Sequence, residues 1–159
     1  MNYRTSFMHI LNNTCPAAYA NICGNENTPD LNGTVCFYDV PCGGTLVKAE
    51  IRNLPDMSNE YPSSFYGMHI HENGDCTLPF NKTGNHYNPC DFPHPMHAGD
   101  MPPLLGSHGY AYSVFYTGRF MINDIIGRSI IIHGSPDDFT TQPSGNSGEK
   151  IGCGTIYSC

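Results

Sequence analysis

The sequence of 159 residues contains no tryptophan, and only 13% of it is charged. Long surface helices usually cover their exposed faces with Glu and Lys, so a charged fraction this small argues against a helical protein. Seven lysines and arginines stand against 14 acidic residues, for a net charge of −7, and no basic cluster occurs. A chain of that sign and patterning is not built to hold a phosphate backbone, so nucleic acid is not an expected partner. No run approaches the ~18 apolar residues of a membrane span, so no membrane partner is expected either. The opening MNYRTSFMHILNNTC also lacks the uninterrupted apolar stretch of a secretory signal. The expectation is a cytoplasmic protein. Eight cysteines pull the other way, because stable disulfides belong to oxidising compartments, and an exported protein whose signal has been removed is the alternative. None of the eight forms a CxxC pair, which leaves a thiolate zinc knuckle poorly supported.

What the chain has in quantity is Gly (17), Pro (13), Tyr (10) and Phe (8), the residues of turns and strands. Its length suits one domain with a real core. Residues 1–16 show no clear period and read as an N-terminal extension, with residues 17–159 as the domain. From there short β-like runs alternate with turn signals: AYANIC, TVCFYDV, TLVKAEIRNL, FYGMHIHE, GYAYSVFYT, GRFMI, SIIIH and KIGCGTIY, with turns at ENTPDLNG and PCGG and a loop at PDMSNEYPSS. Seven or eight strands without a convincing helix predict an all-β sandwich or closed Greek-key barrel. Residues 72–107 and 134–149 break the rhythm. Rich in Gly, Pro, Asn and Asp and too long for hairpin turns, they read as functional loops.

Six of the eight histidines gather at these loops. In FYGMHIHE, strand alternation sends His69 and His71 to one side with Gly67, and Tyr66, Met68 and Ile70 to the other. The apolar set must face the core, so the two imidazoles lie outside the barrel wall, roughly 6 to 7 Å apart along the strand. That separation suits two ligands of one metal ion. SIIIH repeats the arrangement with His133 at its end. The first loop adds His86, His94, His97 and Asp100. Solvent exposure is an adequate account of one loop histidine, but not of six with an aspartate around one strand and its loop. Imidazole suits both copper and zinc, and a carboxylate in a nitrogen-rich tetrahedral set points to zinc.

The segments MHIHENGDC, GNHYNP, HAGDMPPL, IIIHGSPDD and NSGEKIGCGTI, in that order, resemble the motifs of the copper,zinc superoxide dismutases, especially the bacterial type with HENG-x-C and GD-x-P. The resemblance runs over roughly residues 17–157. It implies an eight-stranded Greek-key barrel of immunoglobulin-like sandwich topology, with two long functional loops. By the same resemblance His69, His71, His86 and His133 would bind copper, and His86, His94, His97 and Asp100 would bind zinc, with His86 bridging the two. His97 follows His94 by only three positions, so the zinc loop is shorter here than in eukaryotic members. Asp137 matches the carboxylate that holds one copper-side and one zinc-side imidazole. Cys76 and Cys153 match the family's intrasubunit disulfide, and the other six cysteines are left without assigned partners. His9 and His108 match no ligand and read as surface residues.

The implied activity is disproportionation of superoxide to dioxygen and hydrogen peroxide by Cu(II)/Cu(I) cycling, with His86 and Lys150 acting in catalysis and superoxide as the substrate. An anion approaching a molecule of charge −7 needs local positive potential. The family places an arginine three residues before the second bridge cysteine. Here that position is Lys150, with Glu149 beside it; lysine keeps the charge and loses the planar fork, so weaker guidance of the anion is expected. Ser144 stands where a threonine usually narrows the channel. The alternative function is a copper- or zinc-binding storage module on the same fold with little turnover. A homodimer is left open by the sequence.

Overall fold

The structure, a computed structural model, describes residues 6–41, 43–55 and 63–159. The PCGG turn is therefore described except at Cys42, and most of the PDMSNEYPSS loop lies outside the described residues. Nine antiparallel strands occur among them: β1 (Ala18–Gly24), β2 (Asn32–Asp39), β3 (Thr45–Arg52), β4 (Ser63–Tyr66), β5 (Met68–His71), β6 (Leu104–Ser107), β7 (Tyr110–Thr117), β8 (Ser129–His133) and β9 (Lys150–Ser158). They form one sheet in the order β4-β6-β7-β3-β2-β1-β9-β8-β5. Its two outermost strands, β4 and β5, are consecutive in the chain and separated by Gly67 alone, so this one stretch brings the sheet round into a nearly closed barrel. The all-β barrel expected from the sequence is thus present.

The ninth strand comes from a division of the single strand read in FYGMHIHE. Residues 63–66 pair with β6, and residues 68–71 pair with β8. At the change of partner the Gly67 N–H donates to the Ser135 carbonyl at 2.9 Å, and the Gly67 carbonyl accepts from the His133 N–H at 2.8 Å. A Cβ on Gly67 would stand 3.1 Å from the Ser147 side chain and 3.3 Å from the His69 ring, so a side chain here would press on both.

Other differences have local causes. GRFMI is not a strand: β7 stops at Thr117, and a short helix, α2 (Ile122–Ile125), follows, its first turn closed by the Asp124 carboxylate accepting from the Met121 N–H at 2.8 Å. Ile122 and Ile125, one helical turn apart, are both buried in the core. The end of the first long loop contains β6, where two prolines just before Leu104 hid a short strand. The lead-in holds α1 (Phe7–Asn13), whose Ile10 is buried against Tyr38, Val40 and Leu46 and whose Phe7 stacks on Tyr116 with ring centroids 5.6 Å apart.

The core lies inside the barrel and follows the strand alternation. Met68 and Ile70 of β5 and Ile130 and Ile132 of β8 join Val35, Phe37, Val47 and Ile51 in one cluster, all fully buried. Ile131 faces the other way and packs with Phe80, Cys76 and Cys153. The Cys76–Cys153 disulfide, with Cα atoms 5.7 Å apart and a sequence separation of 77, pins the start of the first loop to β9. Cys15, Cys23, Cys36, Cys90 and Cys159 are free thiols.

Candidate metal centre

The outward face of β5 carries His69 and His71, and β8 places His133 next to them by antiparallel pairing, with Met68 opposite Ile132 and His69 opposite Ile131. The remaining donors arrive on the first loop, which folds back along the free edge of β5. The Ile70 N–H donates to the Gly99 carbonyl at 2.9 Å, the Ile70 carbonyl accepts from Tyr87 N–H at 2.8 Å, and Glu72 N–H donates to Asn85 at 3.0 Å. These bonds set His86 opposite His71 and Asp100 opposite His69. Gly99 permits the approach, since a Cβ there would meet the Ile70 carbonyl oxygen at 2.3 Å.

Two groups of four donors result. His69, His71, His86 and His133 converge in one, and His86, His94, His97 and Asp100 in the other, with the donor atoms of each group all within 4.8 Å of one another and His86 common to both. All seven residues are buried. His9 and His108 lie exposed and belong to neither group.

The hydrogen bonds fix which ring atoms face inward. His71 donates from Nδ1 to the Gly84 carbonyl at 2.9 Å, and His133 from Nδ1 to the Gly148 carbonyl at 3.3 Å. Carbonyls only accept, so in the neutral rings both Nε2 atoms carry lone pairs, and these face each other at 3.4 Å. Asp137 accepts from His69 Nε2 through Oδ2 at 2.8 Å and from His94 Nε2 through Oδ1 at 2.9 Å. That leaves lone pairs on His69 Nδ1 and His94 Nδ1, the latter only 3.1 Å from Asp100 Oδ2. With its proton on Nε2, His94 makes no hydrogen bond there, and the contact is repulsive without a cation between the two atoms. His69 Nδ1, His86 Nε2, His94 Nδ1 and His97 Nδ1 are buried without any hydrogen-bond partner. Four orphaned nitrogens, one pair of opposed lone pairs and a carboxylate against a lone pair are what cations would resolve.

Electrostatics point the same way. Burial, with His86 and His133 nearby, pushes the His71 imidazolium well down from its ordinary range, and burial with His69 nearby takes His133 to about 3. His69 is lowered mainly by burial. All three rings are therefore neutral donors at neutral pH. Burial opposes the charged form of Asp137, yet the bonds from His69, the Phe139 N–H and His94 hold its carboxyl well below the usual range. Gly145 makes room for it: its φ is +66°, and a Cβ would fall 2.0 Å from Asp137 Oδ1.

The first group opens on a cavity of about 480 Å³ whose walls include His71, His86, His133, Ser144 and Lys150. Lys150 donates from Nζ to Thr83 Oγ1 at 2.8 Å and to the Gly84 carbonyl at 3.1 Å, and partial burial lowers its pKa. Glu149 turns elsewhere, accepting from the side-chain amides of Asn25 at 2.9 Å and Asn27 at 3.2 Å.

Residues 31–156 match the sequence model of the family described as copper/zinc superoxide dismutase. The chain belongs to that family. A "Superoxide dismutase [Cu-Zn]" of Deinococcus radiodurans is 34% identical over 155 residues, covering 84% of this chain and 81% of that protein. "Superoxide dismutase [Cu-Zn] 3" of Arabidopsis thaliana is 32% identical and covers 87% and 88%. An "Extracellular superoxide dismutase [Cu-Zn]" of Mus musculus is 30% identical and covers 79% and 53%. The metals of copper/zinc superoxide dismutases match the two donor groups in number and in chemistry: an all-imidazole set for copper, and three imidazoles with a carboxylate for zinc. No helix among the described residues is long and apolar enough to cross a membrane.

Residues with no signal in the sequence also bear on the centre. The carbonyls of Gly84 and Gly148 orient two rings, and Gln142 and Arg119 bind the backbone of the first loop. Their partners are main-chain atoms distant in sequence, which no residue pattern reveals.

Proposed function

We propose that this protein is a superoxide dismutase, with copper held by His69, His71, His86 and His133, and zinc held by His86, His94, His97 and Asp100. The observation that carries the reading is the sharing of one buried imidazole, His86, by two adjoining donor groups, the first of which sets His71, His86 and His133 in the wall of one cavity. When bound, copper supplies the one-electron couple that oxidises one superoxide to dioxygen and reduces a second, with two protons, to hydrogen peroxide, while zinc in a closed shell of four protein donors supplies a fixed charge.

The chain's own residues provide the rest. Asp100 Oδ1 lies 2.8 Å from His86 Nδ1, which leaves Nε2, buried without a hydrogen-bond partner, as the ring atom that takes up and returns a proton. Asp137 holds the His69 and His94 rings in the tautomers that turn Nδ1 inward. Lys150 presents a cation at the cavity wall in a protein of net charge −7, which draws an anion to the opening. Ser144 stands in the same wall. No structural observation favours the storage reading, since neither donor group lacks a member.

The test is metal analysis of purified protein together with a superoxide-decay assay on the parent, His133→Ala and Lys150→Arg. Stoichiometric copper and zinc with rapid decay in the parent, loss of decay with zinc retained in His133→Ala, and equal or faster decay in Lys150→Arg are expected. Near-stoichiometric copper with decay no faster than the uncatalysed rate would overturn the assignment.

A further inference from the structure

The segment carrying three of the four donors in the second group has no strand of its own, and its peptide groups need partners from elsewhere. Beside the backbone bonds of Gly99 to Ile70 and Tyr87, two side chains from other parts of the fold supply five more. Gln142, on the second long loop, grips the peptide groups of His94 from both sides: its Oε1 accepts from the His94 N–H at 3.0 Å, and its Nε2 donates to the His94 carbonyl at 2.7 Å. Arg119, from the turn after β7, directs one guanidinium nitrogen at three carbonyls of the same segment, those of Pro95 at 2.9 Å, His97 at 3.2 Å and Asp100 at 3.4 Å. Four of these five bonds end on the backbone of residues in the donor group. Asp137 fixes the ring of His94, and Gln142 and Arg119 fix the chain that delivers it.

We propose that Gln142 and Arg119 are positioning residues for zinc, clamping the shortened loop so that His94, His97 and Asp100 are held in their binding arrangement before the metal arrives. The inference rests on the zinc ligand set proposed above. An irregular loop ordered only on binding subtracts its ordering cost from the metal's affinity, whereas a loop already held by five hydrogen bonds does not. The copper group is built differently. Three of its four donors sit on strands β5 and β8, whose backbone is fixed by sheet pairing, so the clamp acts on zinc and leaves copper largely alone.

The experiment measures zinc affinity by competition with a chromophoric chelator, and copper affinity separately, on the full chain. Cobalt(II) loaded in place of zinc reports ligand geometry through its visible bands. The variants are Gln142→Ala, Gln142→Glu, Arg119→Gln and Arg119→Lys, with His97→Ala as the control for the site itself. Zinc affinity is expected to fall about 10-fold in Gln142→Ala and Arg119→Gln, the lower end of the range for groups that orient metal ligands. The cobalt bands should shift and copper affinity should stay within about 3-fold, since its strand-borne donors are untouched. Gln142→Glu keeps the acceptor and loses the donor, so its affinity should fall between parent and alanine variant; Arg119→Lys keeps a donor without the fork and should do likewise. Zinc affinity within two-fold of the parent in folded Gln142→Ala and Arg119→Gln would overturn the clamp. If one variant does not fold, its conservative partner carries the same comparison. If His97→Ala also binds zinc like the parent, the ligand set is what fails.

Discussion

Asp137 joins the two donor groups from outside both, through one ring of each, and removing its charge has a consequence that differs between them. Its two oxygens accept from His69 Nε2 at 2.8 Å and His94 Nε2 at 2.9 Å, with its side chain 1% exposed. Each is a charge-assisted bond in a dry setting, of a kind worth about 1.5–3 kcal/mol. At 1.36 kcal/mol per decade, losing one costs about 10- to 150-fold in the affinity of whatever the ring holds. The two rings do not depend on it equally. His69 is carried by β5, and its neighbours His71 and His133 have the Gly84 and Gly148 carbonyls as orienting partners. His94 rides on an irregular loop, and Asp137 is the group that turns its Nδ1 toward Asp100. Asp137→Ala should therefore lower zinc affinity by about 100-fold and copper affinity by about 10-fold, the two ends of the usual range for such partners. Asp137→Asn, in which one arm becomes a donor facing a ring N–H, should lie between parent and alanine variant. Chelator competition with each metal on folded variants decides it. Zinc affinity within two-fold of the parent in both variants would refute the reasoning.

Three further outcomes follow from the same geometry. The Cys76–Cys153 bridge spans 77 positions, and closing a loop of that size stabilises by roughly 4 kcal/mol; at about 2–4 °C per kcal/mol for a domain of this size, reduction should lower the melting temperature of the metal-free protein by about 8–16 °C, and a drop under about 2 °C would contradict it. Lowered folded-state pKa values of buried histidines mean that the unfolded chain binds their protons first, so the metal-free protein should be fully stable above pH 6.5 and lose stability as pH falls below it. With His133 at about 3 against 6.5 unfolded, that ring alone removes on the order of 2–3 kcal/mol by pH ~4.5, measurable as a falling urea midpoint. Gly145→Ala would place a methyl against Asp137 and the His94 ring at a φ of +66°, and should reduce zinc retention on dialysis while the strands of the barrel keep their circular dichroism.

The sequence displayed most of the barrel because strand alternation is written directly in residue type: Met68 and Ile70 against His69 and His71, and Ile130 and Ile132 against Ile131. It misled where two causes produce the same pattern. Phe120, Met121 and Ile122 look like a strand, but Asp124 closes a helical turn that buries Ile122 and Ile125 together. FYGMHIHE reads as one element because Tyr66, Met68 and Ile70 alternate with Gly67, His69 and His71; the change of hydrogen-bond partner is marked by the glycine alone, which a strand reading absorbs. For the site, the six histidines and Asp100 singled out in the sequence are the seven residues of the two donor groups. The contacts of Gln142 and Arg119 were illegible for a different reason. They join side chains to carbonyls and amides 19 to 48 positions away, and a backbone acceptor has no signature in a sequence.

The first loop does more than carry donors. By bonding Tyr87 and Gly99 to Ile70 of β5, and Asn85 to Glu72 just beyond it, it occupies amides and carbonyls that an outermost strand otherwise offers to any passing chain. Ligand delivery and concealment of those groups are therefore the work of one segment, so a change that peels the segment away to empty the centre also uncovers a template for intermolecular strand pairing. Shelf life at high concentration, and not catalysis alone, should track how firmly this segment is held down.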